Sequence, residues 1–266
     1  MYNSIENQMK NIINSVYMEE RTMNDRIETK RRTRLHVYGD SILRGIVMEP
    51  ESGKYIPMAG NDFSAFSAQD VDVVNKSKFG YTVCRGAALI SRALDGNGEK
   101  PCEVMVVEYG GNDCNFDWAA VSRSPGEEHL PVTPLPEFRR QLYAVIGRLY
   151  SAGIRPVLTS LPPIDADRYL DRIAAAVPGT DRERILSWLG DTQMIYRYQE
   201  MYSAAVTETA YETGAVYVDL RSRFLDKHNY RALLCPDGIH PNEAGHALIR
   251  EAFADAAERM LAPFAS

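Results

Sequence analysis

Short apolar segments alternate with longer helix-like segments from Leu35 onward, and this alternation limits the architecture of the chain more than any other feature. The segment Val104-Met105-Val106-Val107 is apolar at every position, which is typical of a strand that is covered on both faces. Strands that alternate with helices pair in parallel, because each helix carries the chain back to the same end of the sheet. The sequence therefore predicts an α/β domain with a parallel sheet.

Five strands and three helices follow from this pattern. The strands are predicted at Leu35–Tyr38, Val71–Asn75, Val104–Glu108, Pro156–Ser160 and Ala215–Asp219. The helices are predicted from Thr133 to Gly153, from Asp191 to Thr213 and from Asn242 to Met260. Residues 161–190 contain three prolines and scattered charges, so we expect an irregular excursion from the sheet there.

The predicted domain organisation separates residues 1–33 from a main domain at residues 34–266. Apolar residues recur at helical spacing between Ile5 and Val16, and the basic stretch Lys30-Arg31-Arg32 follows them. We expect an amphipathic helix and a basic connector. The apolar face of that helix would pack on the domain or on a second copy of the chain, which leaves a homo-oligomer open.

Composition argues against several classes of partner. The chain has 30 Lys and Arg against 36 Asp and Glu, and a net charge of −6 provides no broad cationic surface for nucleic acid. It has no apolar run near the roughly 18 residues of a membrane span, and its N-terminus lacks the apolar core of a secretion signal. The four cysteines form no C-x-x-C pair, which is typical of free thiols. We therefore expect a cytoplasmic protein.

Three short motifs fall where a parallel sheet places ligand-binding residues. Gly39-Asp40-Ser41 follows the first predicted strand and would carry the serine hydroxyl to the rim of the sheet. Gly110-Gly111-Asn112-Asp113 follows the third strand, and its glycines would let the Asn112 amide donate to a developing negative oxygen. Asp237-Gly238-Ile239-His240 precedes the last helix and would place its Asp and His side chains on one side of a turn.

Together the motifs supply the parts of nucleophilic catalysis. Ser41 would be the nucleophile and His240 its base, while Asp237 would fix the imidazole tautomer that leaves the other ring nitrogen free. Each motif alone is also common structural chemistry, namely a turn, a glycine-rich loop or a helix cap. Because all three fall on one rim of the predicted sheet, catalysis is the better interpretation.

The order of these motifs resembles the SGNH hydrolases, which are also called GDSL-type esterases and lipases, over about residues 34–260. The resemblance implies a flavodoxin-like three-layer α/β/α sandwich with a mostly parallel five-stranded sheet. It also implies ester hydrolysis without a metal or organic cofactor. In that family the oxyanion donors would correspond to the N–H of Ser41, to Asn112 and to Gly80, with Gly86 as the competing glycine.

The substrate is less closely constrained by the sequence. Four arginines between Arg168 and Arg184 predict polar walls in the excursion, which would favour short acyl groups on a small-molecule or carbohydrate ester. Carbohydrate O-deacetylation and acyl transfer are alternatives that keep the same triad. A catalytically silent ligand-binding domain is a further alternative. A two-carboxylate glycosidase site at Glu108 and Asp113 is the weakest one.

Overall fold

A computed structural model of the chain describes residues 32–59, 71–96 and 100–262. Their centre is a five-stranded parallel sheet made of β1 (Thr33–Tyr38), β4 (Val71–Asn75), β5 (Val104–Val107), β6 (Arg155–Thr159) and β7 (Val216–Val218). Its order is β4-β1-β5-β6-β7, the strand order of flavodoxin-like folds. All five predicted strands are confirmed. The sequence pattern missed β2 (Ile46–Met48) and β3 (Tyr55–Pro57), which form a separate antiparallel hairpin.

Eight α-helices lie within the described residues. They are α1 (Val83–Leu94), α2 (Trp118–Arg123), α3 (Leu135–Ser151), α4 (Ala166–Ala176), α5 (Arg182–Leu189), α6 (Gln193–Thr213), α7 (Leu220–Leu225) and α8 (Glu243–Leu261). The three predicted helices are α3, α6 and α8, although Pro134 rather than Thr133 holds the N-cap position of α3. The excursion after β6 is not irregular as expected, because it contains α4 and α5.

Helices cover both faces of the sheet. Side chains that alternate along β1 point to opposite faces, so Leu35 and Val37 pack against α7 and α8 while Tyr38 packs against the layer of α1, α3 and α6. All four residues of β5 are buried, as expected for a central strand covered on both sides. These layers confirm the predicted three-layer α/β/α fold.

The described residues from Thr33 onward belong to one compact unit. The predicted N-terminal helix lies outside the described residues, and the division into residues 1–33 and 34–266 stays a prediction. None of the helices that the structure describes combines the length and apolar character needed to cross a membrane.

Candidate active site

Ser41 lies in a tight turn directly after β1, at the carboxyl end of the sheet. The Asp40 carboxylate accepts the N–H of Ile42 at 2.8 Å, and the Ser41 carbonyl accepts the N–H of Ile46 at 2.9 Å. A Cβ on Gly39 would lie 2.8 Å from a carboxylate oxygen of Glu108, so only glycine fits before Asp40. The Ser41 side chain is thereby held at one position, with 6% of its surface exposed.

A turn before α8 pairs Asp237 with His240. The Oδ2 atom of Asp237 lies 2.6 Å from Nδ1 of His240, and its Oδ1 accepts the backbone N–H groups of Ile239 and His240 at 3.1 Å each. Burial alone would raise the pKa of Asp237, but the hydrogen bonds and charge of His240 and the backbone donors outweigh it and lower that pKa. Asp237 is therefore an ionised acceptor in the fold.

The hydroxyl of Ser41 contacts His240, which lies far from it along the chain. Oγ of Ser41 lies 2.9 Å from Nε2 of His240, although the two residues are 199 positions apart. An ionised Asp237 can only accept, so Nδ1 of His240 carries the ring proton and Nε2 accepts the O–H of Ser41. The structure thus brings together the three side chains that the motifs predicted.

Two aromatic rings flank the imidazole of His240. The Tyr55 ring, on β3, has its centroid 4.9 Å from that of His240, and the Phe79 ring stacks on it at 6.0 Å with planes 7° apart. Half of the Phe79 surface is exposed. The sequence pattern singled out neither residue. Tyr55 comes from the hairpin that the pattern did not predict.

Asn112 is held beside Ser41 by two hydrogen bonds. Its Nδ2 atom donates to Oδ2 of Asp40 at 2.9 Å and to the carbonyl of Tyr81 at 3.1 Å. Both amide protons are therefore used within the protein. The bond to Tyr81 also brings the loop that contains Gly80 next to Asn112.

Gly80 and Gly86, the two glycines considered for the second family block, differ in their surroundings. Gly80 has φ +70°, and its N–H has no hydrogen-bond acceptor among the described residues. The N–H of Gly86 instead donates to Thr82 within α1, and a Cβ there would lie 2.2 Å from the Tyr109 ring. Gly86 is thus a packing position for the tyrosine.

Three buried carboxyl groups surround this rim. Burial raises the pKa of Asp40 to about 6 and that of Asp113 to about 7, while burial and the Asp40 charge raise the pKa of Glu108 well above its usual value. Asp113 accepts the N–H of Val83 at the start of α1, and Glu108 accepts the N–H of Asp40. Glu108 and Asp113 are thus engaged in holding the loops. The one sequence signal for these buried carboxyls was the position of Glu108 at the end of a buried strand.

A cavity of about 340 Å³ opens beside Ser41 and His240. We call it the apolar cavity, because its wall consists mainly of apolar side chains, including Phe116, Trp118, Leu161, Ile164, Ile173 and Ile195. Of the four arginines in the excursion, only Arg172 borders the cavity, so most of the polar wall expected from them is absent there. The preference for short acyl groups stays a prediction.

No group of three or more His, Cys, Asp or Glu side chains suited to a metal ion occurs within residues 32–59, 71–96 and 100–262.

The chain is similar to known proteins of one family. A model of the GDSL-like lipase/acylhydrolase family matches residues 37–248. A GDSL esterase/lipase of Arabidopsis thaliana is 22% identical over 193 residues, which make up 71% of this chain and 68% of the relative.

Two solved structures resemble the chain in fold. The lipase/acylhydrolase from Enterococcus faecalis has a TM-score of 0.57 at 18% identity, and the match covers 88% of this chain and 100% of that one. A catalytic mutant of an acetylxylan esterase from Geobacillus stearothermophilus has a TM-score of 0.56 at 20% identity, with 84% and 93% covered. At these identities the two structures bear on the fold alone.

Proposed function

The chain belongs to the GDSL-like lipase/acylhydrolase family and is an ester-hydrolysing enzyme, and we propose that Ser41, His240 and Asp237 are its catalytic triad. The observation that carries this proposal is the pair of hydrogen bonds made by His240, at 2.6 Å to Asp237 and 2.9 Å to Ser41. A nucleophile, a base and a group that orients the base are the three parts that acyl transfer needs.

The reaction begins with transfer of the Ser41 hydroxyl proton to Nε2 of His240. Oγ then attacks the ester carbonyl carbon, and the carbonyl oxygen becomes negatively charged. His240 returns the proton to the departing alcohol oxygen as the bond between carbon and that oxygen breaks. The acyl group is left on Ser41, and Asp237 stabilises the imidazolium while it exists.

A water molecule completes the cycle by the same route in reverse. It gives a proton to His240 and attacks the acyl carbon, and Oγ of Ser41 leaves with that proton. The enzyme returns to its starting state with a free carboxylic acid as the second product.

The negative oxygen is stabilised by the N–H groups of Ser41 and Gly80 and by the Asn112 amide. Asn112 has both amide protons engaged in the free enzyme, so the substrate must replace one acceptor. Of the two acceptors of Asn112, the neutral carbonyl of Tyr81 is weaker than the Asp40 carboxylate. The oxyanion is charged and is therefore a stronger acceptor than that carbonyl. We expect the oxyanion to take the proton that Tyr81 accepts, while the bond to Asp40 keeps the amide oriented.

The triad is tested by kcat for p-nitrophenyl esters. Ser41→Ala and His240→Ala should each lower kcat by about 10⁴-fold or more, and the double variant should be little worse, because the residues act as a unit. Asp237→Ala should lose less than His240→Ala. Ser151→Ala is the matched control, since this exposed serine ends α3 before β6 begins, at the opposite end of the sheet.

Two results would contradict the proposal. Hydrolysis by Ser41→Ala at the wild-type rate would mean that another group carries out the reaction. Losses that multiply in the double variant would mean that the two residues do not share one step.

Carbohydrate O-deacetylation is a second candidate, favoured by the acetylxylan esterase among the structural neighbours. It uses the same triad and differs in the alcohol that leaves. Release of acetate from acetylated xylo-oligosaccharides at a rate above that from p-nitrophenyl acetate would support it, and the absence of such release would reject it.

A further inference from the structure

The apolar cavity is continuous with the nucleophile. Ser41 and His240 border it on one side, and residues that follow β5 and β6 form part of its wall. Much of the rest comes from α4 in the excursion and from the start of α6, and Tyr55, Phe79 and Ile239 complete it near His240. An acyl group attached to Ser41 therefore has this cavity beside it.

One face of α4 forms the cavity wall. Tyr169, Arg172, Ile173 and Ala176 all border the cavity, and their spacing of i, i+3, i+4 and i+7 places them on one side of a helix. Ala175 and Ala176 are both exposed, but only Ala176 borders the cavity. The helix thus presents Ile173 and Ala176 to the cavity together with Tyr169 and Arg172.

Three polar side chains in the wall have hydrogen-bond partners within the protein. Nε1–H of Trp118 and the Tyr169 hydroxyl both donate to Oδ1 of Asn115, at 2.7 and 2.9 Å. The amide of Gln199 donates to the carbonyl of Pro162 at 2.7 Å. These groups leave hydrocarbon surface for a ligand, and a polar ligand would lose its hydrogen bonds to water there without replacement.

Three of the four arginines of the excursion have their charges engaged away from the cavity, and the fourth, Arg172, lies over a ring of the wall. Arg168 lies near Asp165, Arg182 donates to Asp171 at 2.9 Å, and Arg184 donates to carbonyls at the end of α2. The guanidinium group of Arg172 lies 5.7 Å from the centre of the Tyr55 ring and donates to the carbonyl of Gly53. None of these contacts calls for a charged substrate.

We propose that the apolar cavity binds the acyl chain of medium-chain fatty acyl esters, with an optimum near eight carbons. The inference rests on the proposed triad at Ser41. A methylene group needs about the same room as one water molecule in the liquid, ~30 Å³, so 340 Å³ holds about eleven such groups. The reacting carbonyl and the first atoms of the alcohol occupy part of that space, which leaves room for about six to eight chain carbons.

The experiment compares kcat/KM for acetyl, butanoyl, octanoyl and hexadecanoyl esters of p-nitrophenol. Each buried methylene is worth about four-fold in full and about two-fold if half of that free energy is realised, so the six additional carbons of octanoyl should raise kcat/KM over acetyl by at least about 50-fold. Hexadecanoyl should fall below octanoyl, because its chain exceeds the cavity. A preference for acetyl, or a rate that is flat with chain length, would overturn the proposal.

Ala176 is exposed at the edge of the cavity, so Ala176→Trp narrows the cavity from α4. It should lower kcat/KM for octanoyl esters at least ten-fold, while changing that for acetyl esters by less than about two-fold. Ala175→Trp introduces the same side chain one residue away and should change neither. Ile195→Ala enlarges the cavity and should move the optimum to a longer chain. Equal losses on all esters in Ala176→Trp, or equal behaviour of Ala175→Trp, would contradict the assignment.

The outcome separates this inference from the proposed triad. If Ser41→Ala abolishes hydrolysis but acetyl is the preferred acyl group, the triad stands and the cavity assignment fails. If Ser41→Ala leaves hydrolysis unchanged, the proposed function itself fails.

Discussion

Glu108 and Asp40 form a pair of buried carboxyls next to Ser41. Burial raises the pKa of Asp40 to about 6, whereas burial and the charge of Asp40 raise the pKa of Glu108 well above its usual value. Both groups therefore keep protons at pH values where they would ionise in the unfolded chain. Between about pH 4 and the folded-state pKa, the folded protein therefore binds more protons than the unfolded chain. The free energy of unfolding contributed by these groups falls as pH rises through that window.

Glu108→Gln tests this linkage, because glutamine mimics the protonated acid and does not titrate. From this group alone the wild type should lose up to about 1.4 kcal/mol of stability for each pH unit between pH 5 and 7. The variant should gain stability relative to wild type over the same interval. Urea unfolding at pH 5, 6 and 7 measures the difference, and a difference independent of pH would show that Glu108 is ionised in the fold.

Asn112→Ala removes the one side-chain donor proposed for the oxyanion. We expect kcat to fall by about 100- to 1,000-fold with a smaller change in KM, because the donor acts mainly on charge that develops in the transition state. Steady-state kinetics with p-nitrophenyl esters gives both values, and the melting temperature checks that the fold is kept. A variant that raised KM alone would place Asn112 in ground-state binding instead.

Among the elements, the turn before α8 depends on one glycine. Gly238 has φ +76°, and a Cβ there would lie 2.6 Å from the carbonyl oxygen of Asp165 at the start of α4. The N–H of Asp165 also donates to the carbonyl of Gly238 at 2.7 Å. This turn therefore joins the Asp237–His240 pair to the excursion that walls the apolar cavity.

Gly238→Ala should cost stability and activity together. The left-handed backbone costs alanine about 1–2 kcal/mol, and the contact with Asp165 adds to this by moving the turn, so kcat should fall at least ten-fold. Gly153→Ala is the control, because Gly153 has φ +67° with nothing within 4 Å of the added Cβ. Thermal unfolding and kcat are measured for both variants. Equal losses of activity would mean that the left-handed backbone, and not the contact with Asp165, causes the loss.

Elements with long or fully apolar patterns were predictable, whereas short ones were not. The apolar run of β5 and the periodicity of α3 are strong local signals. The three-residue strands β2 and β3 are too short to show alternation, and the charges on α4 and α5 conceal their apolar faces. The aspartate N-caps of these helices, Asp165 and Asp181, were the signal available in the sequence.

The parts of the candidate site that lie in local sequence motifs were predictable. The parts that depend on the direction of distant side chains were not. Ser41, Asp237 and His240 lie in short motifs whose meeting follows from the order of parallel strands. The apolar cavity depends instead on which way the arginines of the excursion point, and their partners come from distant loops. The pattern of apolar residues within one segment does not predict the direction of these side chains.

For the whole molecule, we predict that residues 33–266 contain the complete hydrolase. The sheet, both helical layers and every proposed site residue lie in that range. A chain that begins at Thr33 should therefore keep kcat/KM for its preferred ester within about two-fold of the full chain. Steady-state assays of the two proteins test this, and loss of activity in a folded shortened chain would assign residues 1–32 to the working enzyme.

The 199-residue separation between Ser41 and His240 has a consequence for biosynthesis. A ribosome makes the serine long before the histidine, so a chain still in translation holds Ser41 without His240 beside it. With the proposed triad, we expect hydrolytic activity to begin only after the turn before α8 has emerged and docked on the turn that follows β1. Each newly made molecule would then be inert during synthesis, and the onset of ester cleavage would report that both ends of the domain have come together.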